Sequence, residues 1–277
     1  MYTGIIYEKQ DLRKLSWERI SSAGWIGGSF LKAVDFQKKP FRYYKLSSCD
    51  STKGIVGHEC VNELIADRLL NILGIPHVHY QLVNASIKLE NKILDTWLCV
   101  SEDFRKKEES KIAFDTFYEL EKKGGETPLS FCIRNGWEDQ VYEMLLVDFL
   151  ILNRDRHGAN LEVVKNNRTR EFYLAPLFDH GLSLLFSCHS DLEMRNYSVL
   201  EDKPVQCFLG SCSTVKNLDL IPKDKYPRVN PLQKKHKADI FAGLEQVMSP
   251  CYMEKVWEMI WKRWEIYEGF YNQREKK

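Results

Sequence analysis

Asp155, Asn160 and Asp179 are the residues whose types and spacing could do chemistry. The first two lie in Asn153-Arg154-Asp155-Arg156-His157-Gly158-Ala159-Asn160, where a long apolar run from Val141 to Leu152 gives way to polar and charged groups. Asp179 closes a second apolar run, Ala175-Pro176-Leu177-Phe178, and is followed by His180-Gly181. Carboxylate and amide oxygens are hard ligands suited to Mg2+, which keeps several waters and binds substrate phosphates. Asn160 and Asp179 fit a metal pair. Asp155, five residues before Asn160, is placed to accept a proton from an attacking hydroxyl or to orient it. Phosphoryl transfer asks for little more than such positioning and the neutralisation of charge. Arg156 could stabilise charge or anchor the loop. His157 could be a base, but an aspartate already fills that position and structural support is the favoured role. On these residues alone, a polar loop with a structural ion pair stays open as the plainer reading.

Upstream residues decide whether a nucleotide pocket accompanies them. Gly24, Gly27, Gly28 and Ser29 precede a strand-like run from Phe30. Glycines let successive backbone amides approach an anion closely, so this is either a loop over phosphates or an ordinary hairpin turn. It is not a Walker A loop, since GxxxxGK[ST] is absent. Phe41 to Ser47 reads as a strand rich in aromatics, with Tyr43, Lys45 and Ser47 on one face and Tyr44 and Leu46 on the other. Lys45 is then an exposed face residue or a cation pointing at phosphate. Residues 57–74 carry Val61, Ile65, Leu69 and Ile72 at helical spacing, stopped by Gly74 and Pro76. Glu59 and Glu63 share a face of that helix, so either could reach Lys45.

These groups need a frame. Residues 4–7 suggest an edge strand, and 77–83 and 93–100 further strands about a hairpin-like region at 84–91. The shift from apolar strand to dense charge at Arg105-Lys106-Lys107-Glu108-Glu109 marks a lobe boundary, which divides the chain into 1–104 and 105–277. Helices are expected over 114–121 and 137–152, the second apolar nearly all round and so central to its lobe. Residues 160–164 and 171–175 read as strands joined by a polar turn. A hairpin there brings Asn160 and Asp179 back to one edge, where Asp155 enters from the helix end. Residues 182–235 read as long loops and short helices. Met253 to Tyr271 follow the spacing of an amphipathic helix whose tryptophans serve packing.

Composition narrows the setting. The 277 residues carry a formal net charge of +1, so no global field draws the chain to nucleic acid or membrane. The basic stretch 223–237 reads as a solvated loop. Eight cysteines without a CxxC pair, no leader-like N-terminus and no apolar run of about 20 residues point to reduced thiols in a cytoplasmic protein that neither binds nucleic acid directly nor enters a membrane.

Glycine loop, strand lysine, helix glutamate, Asp-x4-Asn and a later aspartate follow the order found in protein kinases. Asn153 to Asn160 resembles the N-x-D-R-H-x-x-N loop of HipA-like serine/threonine kinases, relatives of the phosphatidylinositol 3/4-kinases. Leu174 to Asp179 resembles that family's L-A-P-L-Y-D strand, Asn62-Glu63 with Leu73-Gly74-Ile75-Pro76 its N-E…L-G helix, and Tyr44-Lys45-Leu46 its nucleotide-lysine strand. The resemblance implies an α+β, two-lobed kinase-like fold, with an antiparallel-sheet N-lobe and a mostly helical C-lobe. It implies ATP- and Mg2+-dependent phosphorylation of a protein serine or threonine. Asp155 would be the catalytic aspartate, Asn160 and Asp179 the metal ligands, Lys45 the phosphate contact and Glu63 its partner. Val100 to Asp103, Glu102 included, would form the adenine hinge. Ser21, Ser22 and Ser29 are candidates for autophosphorylation. The chain begins close to the glycine loop and so corresponds to the compact members. An antitoxin-like or regulatory protein is the further partner implied. Asp179-His180-Gly181 departs from the apolar residues usual after that aspartate. A lipid or small-molecule acceptor, and a catalytically silent nucleotide-binding scaffold, are the alternatives.

Overall fold

Alternating polar and apolar residues in the first hundred positions build one twisted sheet. The structure, a computed structural model, describes residues 3–20, 30–50 and 54–272. Gly24, Gly27, Gly28 and Ser29, with Ser21 and Ser22, fall outside the described residues. The strands are β1 (Ile5–Asp11), β2 (Glu18–Ile20), β3 (Phe30–Asp35) and β4 (Arg42–Leu46), then a small ladder of β5 (Cys49–Asp50) and β6 (Gly54–Ile55). Helix α1 (Glu59–Leu73) follows, and then β7 (Tyr80–Leu89) and β8 (Lys92–Glu102). The main sheet runs β1-β7-β8-β4-β3-β2. All its pairs are antiparallel except β1 with β7, so the expected edge strand is present but runs parallel to its neighbour. The region expected as a hairpin at 84–91 is strand almost to its tip, because Asn84 pairs with Trp97 and Leu89 with Lys92.

One face of the sheet collects Tyr44, Leu46, Val83, Ala85, Ile87, Leu98 and Val100 into a small apolar cluster. The other receives α1, and here the larger core begins. Leu64, Ile65, Leu69 and Leu70 are buried and pack in the same cluster as Leu82 and Cys99 of the sheet and the helices that follow. Full burial of each such side chain stabilises by about 1.5–3 kcal/mol. Gly74 ends α1 at φ 77, a left-handed cap that a side chain would strain.

The second half opens with β9 (Glu109–Ala113) and continues through α2 (Phe114–Glu121), α3 (Pro128–Arg134) and α4 (Glu138–Leu150). The charged stretch 105–109, read as a lobe boundary, runs directly into β9 at the edge of its sheet. Next come β10 (Asp155–Arg156), a single helical turn at Gly158–Asn160, β11 (Glu162–Asn166) and β12 (Phe172–Leu174). The expected hairpin is present, with Val163 opposite Leu174, and β9 adds a third strand to it. Short elements follow: α5 (Asp191–Asn196), β13 (Gln206–Cys207), α6 (Thr214–Leu218) and α7 (His236–Phe241). The long α8 (Pro250–Asn272) completes the chain. Helix α4 is buried on nearly every side. Arg263 of α8 is fully buried and donates to the carbonyls of Phe149, Val199 and Glu201, which locks α8 to the end of α4. Among the described residues no helix is long and apolar enough to cross a membrane.

Candidate active site

Lys45 leaves the sheet on the face opposite Tyr44 and Leu46 and meets two carboxylates. Its Nζ lies 2.9 Å from Glu63 Oε1 and 2.9 Å from Asp179 Oδ1. Glu63 faces the strand because α1 lies across the sheet. Its other oxygen accepts from the His180 backbone N–H at 2.9 Å, so a single carboxylate binds both the lysine and the segment carrying Asp179. Glu59, the alternative partner, is used elsewhere: it accepts from the Ser48 N–H at 3.0 Å and from its hydroxyl at 2.6 Å.

Sequence reading missed Lys32. It sits directly opposite Lys45 in the β3–β4 pairing, and its Nζ is 3.8 Å from Asp179 Oδ2. Alternation along β3 was the available signal, since cross-strand neighbours share a face. The Asp179 carboxylate thus faces two cations. Burial pushes its pKa up, but Lys45, Lys32 and Arg156 outweigh that and hold it well below the usual carboxylate range. Burial likewise acts to lower Lys45, yet Asp179 and Glu63 keep it well above its ordinary value. Asp179 adopts φ 59, a left-handed turn that swings the chain out of the preceding extended run.

The 153–160 loop is positioned from beneath. Leu152, at φ 50, turns the chain out of α4. Asn153 donates from Nδ2 to Asp148 at 2.8 Å and accepts the Asp155 N–H at 3.2 Å. The Asn160 amide donates to the Asp155 carbonyl at 2.7 Å, which leaves its own oxygen free of that bond. Gly158 is required by close approach, because a Cβ there would lie 2.5 Å from the Asp115 Cβ of α2. Among the described residues, His157 Nε2 lies 3.7 Å from the Asp155 carboxylate, too far for a hydrogen bond. Burial raises its pKa; His157 opposes this and the negative Asp179 adds to it. His157 Nδ1 accepts the Ala159 N–H at 3.1 Å, which orients the ring beside Asp155.

The side chains of Arg156, Val100 and Glu102 are engaged away from the Lys45 junction. Arg156 is buried and has no free face toward the cleft. Its guanidinium forms a two-pronged pair with Asp148, each contact 2.9 Å, and donates to the carbonyls of Asn160 at 3.1 Å and Phe178 at 2.9 Å. It positions the loop and the run before Asp179. Val100 and Glu102 also turn away from Lys45. Val100 packs in the far-face cluster with its backbone between β4 and β7, and Glu102 pairs with Arg42 at 3.1 Å.

His180 stands where an apolar residue was expected, and it is buried. Burial, and then the neighbouring Arg156 and His77, push its pKa well below the ordinary value, so the ring is neutral. Below about pH 6.5 the unfolded chain binds a proton there that the folded chain refuses, so stability falls as pH drops through that point. Denaturant titrations between pH 7.5 and 5 should show a slope smaller in His180→Phe by up to about 1.4 kcal/mol per pH unit. An unchanged slope would show that His180 takes up its proton in the folded state.

No protein-family model matches the chain. A curated relative, the serine/threonine-protein kinase CtkA of Helicobacter pylori strain J99, is 27% identical over 172 residues, 56% of this chain. The chain spans about half the length of that relative, 47% of it being covered. Among solved structures, the H. pylori proinflammatory kinase CtkA superposes with a TM-score of 0.61 at 19% identity, covering 92% of this chain and 93% of that one. The chain therefore has the fold of that kinase. A Shewanella oneidensis HipA, solved with HipB and operator DNA, gives a TM-score of 0.40 at 14% identity over 91% of this chain and 59% of that one. At that level the second likeness carries no argument.

Proposed function

We propose that this chain, a relative of CtkA in sequence and fold, is a HipA-like serine/threonine protein kinase that transfers the γ-phosphoryl group of ATP to a protein hydroxyl. The observation that carries the reading is the junction of Lys45, Glu63 and Asp179, with Asp155 nearby and its carboxylate free of hydrogen bonds among the described residues. A structural ion pair would need one cation and one acid. Two lysines converging on an acid at the mouth of the sheet supply the charge that a polyphosphate requires. In this reading residues 1–104 form the nucleotide lobe and 105–277 the catalytic lobe. The name of the relative supports a protein acceptor.

Asn160 and Asp179 would hold a divalent ion. The fit is chemical: both offer hard oxygen, Asp179 stays ionised, and the Asn160 amide has its N–H end occupied by the Asp155 carbonyl, so its oxygen can face outward. Mg2+ bound there would neutralise charge on the phosphates and fix their orientation. The chain's own residues do the rest. Lys45, held by Glu63, and Lys32 attract the phosphate oxygens. Asp155 accepts the hydroxyl proton as the acceptor oxygen bonds to the γ-phosphorus and the bond from that phosphorus to the bridging oxygen breaks, releasing ADP. His157, whose ring faces the Asp155 carboxylate, keeps it in place.

Incubation with labelled ATP and Mg2+ tests the proposal: label should appear on the chain itself or on a generic protein. ATP bound without any transfer would favour the silent scaffold, and label on lipid alone would move the acceptor class. For Lys45→Ala, calorimetry should show ATP affinity weakened about 10- to 100-fold, the range for losing one charged hydrogen bond. Unchanged affinity would remove Lys45 from the phosphate contact.

A further inference from the structure

Helix α1 carries a third acid, Asp67, one turn beyond Glu63, and the segment from α1 into β7 brings His77 and His79 against it. We infer that Asp67, His77 and His79 form a binding site for a zinc-like divalent cation, with a fourth position open to water. It stands apart from the kinase reading and does not rest on it.

The argument begins with one hydrogen bond. His77 Nδ1 lies 2.7 Å from the Ile75 carbonyl. A carbonyl only accepts, so that nitrogen carries the proton, and a neutral ring then presents a bare lone pair at Nε2. Yet Nε2 points at Asp67 Oδ1 from 3.1 Å, and a carboxylate also only accepts. Two acceptors face one another where both residues are buried. Either a proton bridges them or a cation lies among these atoms.

Three features favour the cation. His79 Nδ1 approaches the same oxygen at 3.0 Å, and the candidate ligand atoms of all three residues lie within 4.8 Å of one another. Tetrahedral zinc with bonds of about 2.0–2.1 Å has ligand–ligand edges of about 3.3 Å, so two of the three edges are already within a few tenths of an ångström. The third closes by rotation of the His79 ring, which is 73% exposed and free to turn. The outer contacts are also those of a metal site. The Nδ1–H···O=C bond of His77 fixes its tautomer, and Asn71 Nδ2 holds the second carboxylate oxygen at 3.2 Å. Two imidazoles and one carboxylate suit zinc and disfavour Mg2+, which takes oxygen ligands.

The location gives the ion a structural task. His77 bridges to Leu177, and Val78 donates to the Leu177 carbonyl at 2.8 Å, two residues before Asp179. A bound ion would tie α1, the entry to β7 and the run carrying Asp179 to one point, and would raise thermal stability by mass action.

The test uses the full chain stripped with a chelator and titrated with Zn2+ against a chromophoric competitor. One equivalent should bind, and Co2+ should give a four-coordinate spectrum lacking the intense near-ultraviolet thiolate band that the free cysteines would produce. His79→Ala alters an exposed side chain and should fold normally. Its Zn2+ affinity should fall at least tenfold, and the Zn2+-induced rise in Tm seen in the wild type should vanish. Three outcomes would each overturn the site: equal Zn2+ affinity in His79→Ala, a thiolate band with Co2+, or no retained ion. The last would leave a bridging proton between His77 and Asp67 in place of a metal.

Discussion

Asp155→Asn is expected to bind ATP as the wild type does and to transfer phosphate about 1,000-fold more slowly or worse, within the span that a positioned proton acceptor supplies. The change preserves size, and the structural bonds of Asp155 run through its backbone: its N–H to Asn153 and its carbonyl to the Asn160 amide. Among the described residues its carboxylate makes no hydrogen bond, and its contact with His157 is 3.7 Å long. A fall in rate without a fall in ATP affinity or Tm therefore reads the chemistry alone. The wild-type rate should also decline as pH drops through the raised pKa of Asp155, since a protonated carboxyl accepts nothing. Equal transfer by wild type and Asp155→Asn would leave His157 as the base to test next.

Arg156→Met should cost about 3–5 kcal/mol of stability, a large share of the 5–15 kcal/mol that holds a typical domain folded. The reason is the uncompensated charge that remains. Asp148 is buried in the last turn of α4, and Arg156 supplies its countercharge through two bonds. Adding Asp148→Asn should recover part of the loss, because it removes that charge and still offers Asn153 an acceptor oxygen. Activity should stay low in the double variant, since the carbonyls of Asn160 and Phe178 lose their shared donor and the two halves of the site drift apart. Urea denaturation measures the first effect. A loss below about 1 kcal/mol for Arg156→Met would show that water reaches Asp148.

Much of the site is legible in order because its chemistry demands particular residue types at element ends. A buried helix must stop somewhere, and Asn153 to Asn160 mark the stop with side chains that satisfy loop backbone. Periodicity placed α1 and α4, and alternation placed β4, because solvent on one side leaves a readable stripe. Other elements gave weaker signals. Strand β9 is charged and lies at a sheet edge, so it looks like a polar link until Glu162 to Asn166 pair with it from some fifty residues away. Arg156 has the composition of a catalytic residue and the environment of a structural one. Its partner Asp148 lies eight residues earlier inside an apolar run, where an acid gives no sign of which way it faces.

The sequence by itself determined the inventory: one lysine in an aromatic strand, two glutamates on a helix face, and Asp155, Asn160 and Asp179 where buried runs surface. Those follow from local physics, from periodicity and from the cost of burying charge. Only the tertiary structure decided the partners. Glu63 rather than Glu59 meets Lys45 because α1 crosses the sheet at one rotation, and Ser48 claims the other acid. Lys32 joins Asp179 because the β3–β4 register places it beside Lys45. His77 and His79 reach Asp67 because the chain doubles back after Gly74. Each of these is a distance between residues far apart or differently facing in the chain, and no local preference encodes such a distance until the core has packed.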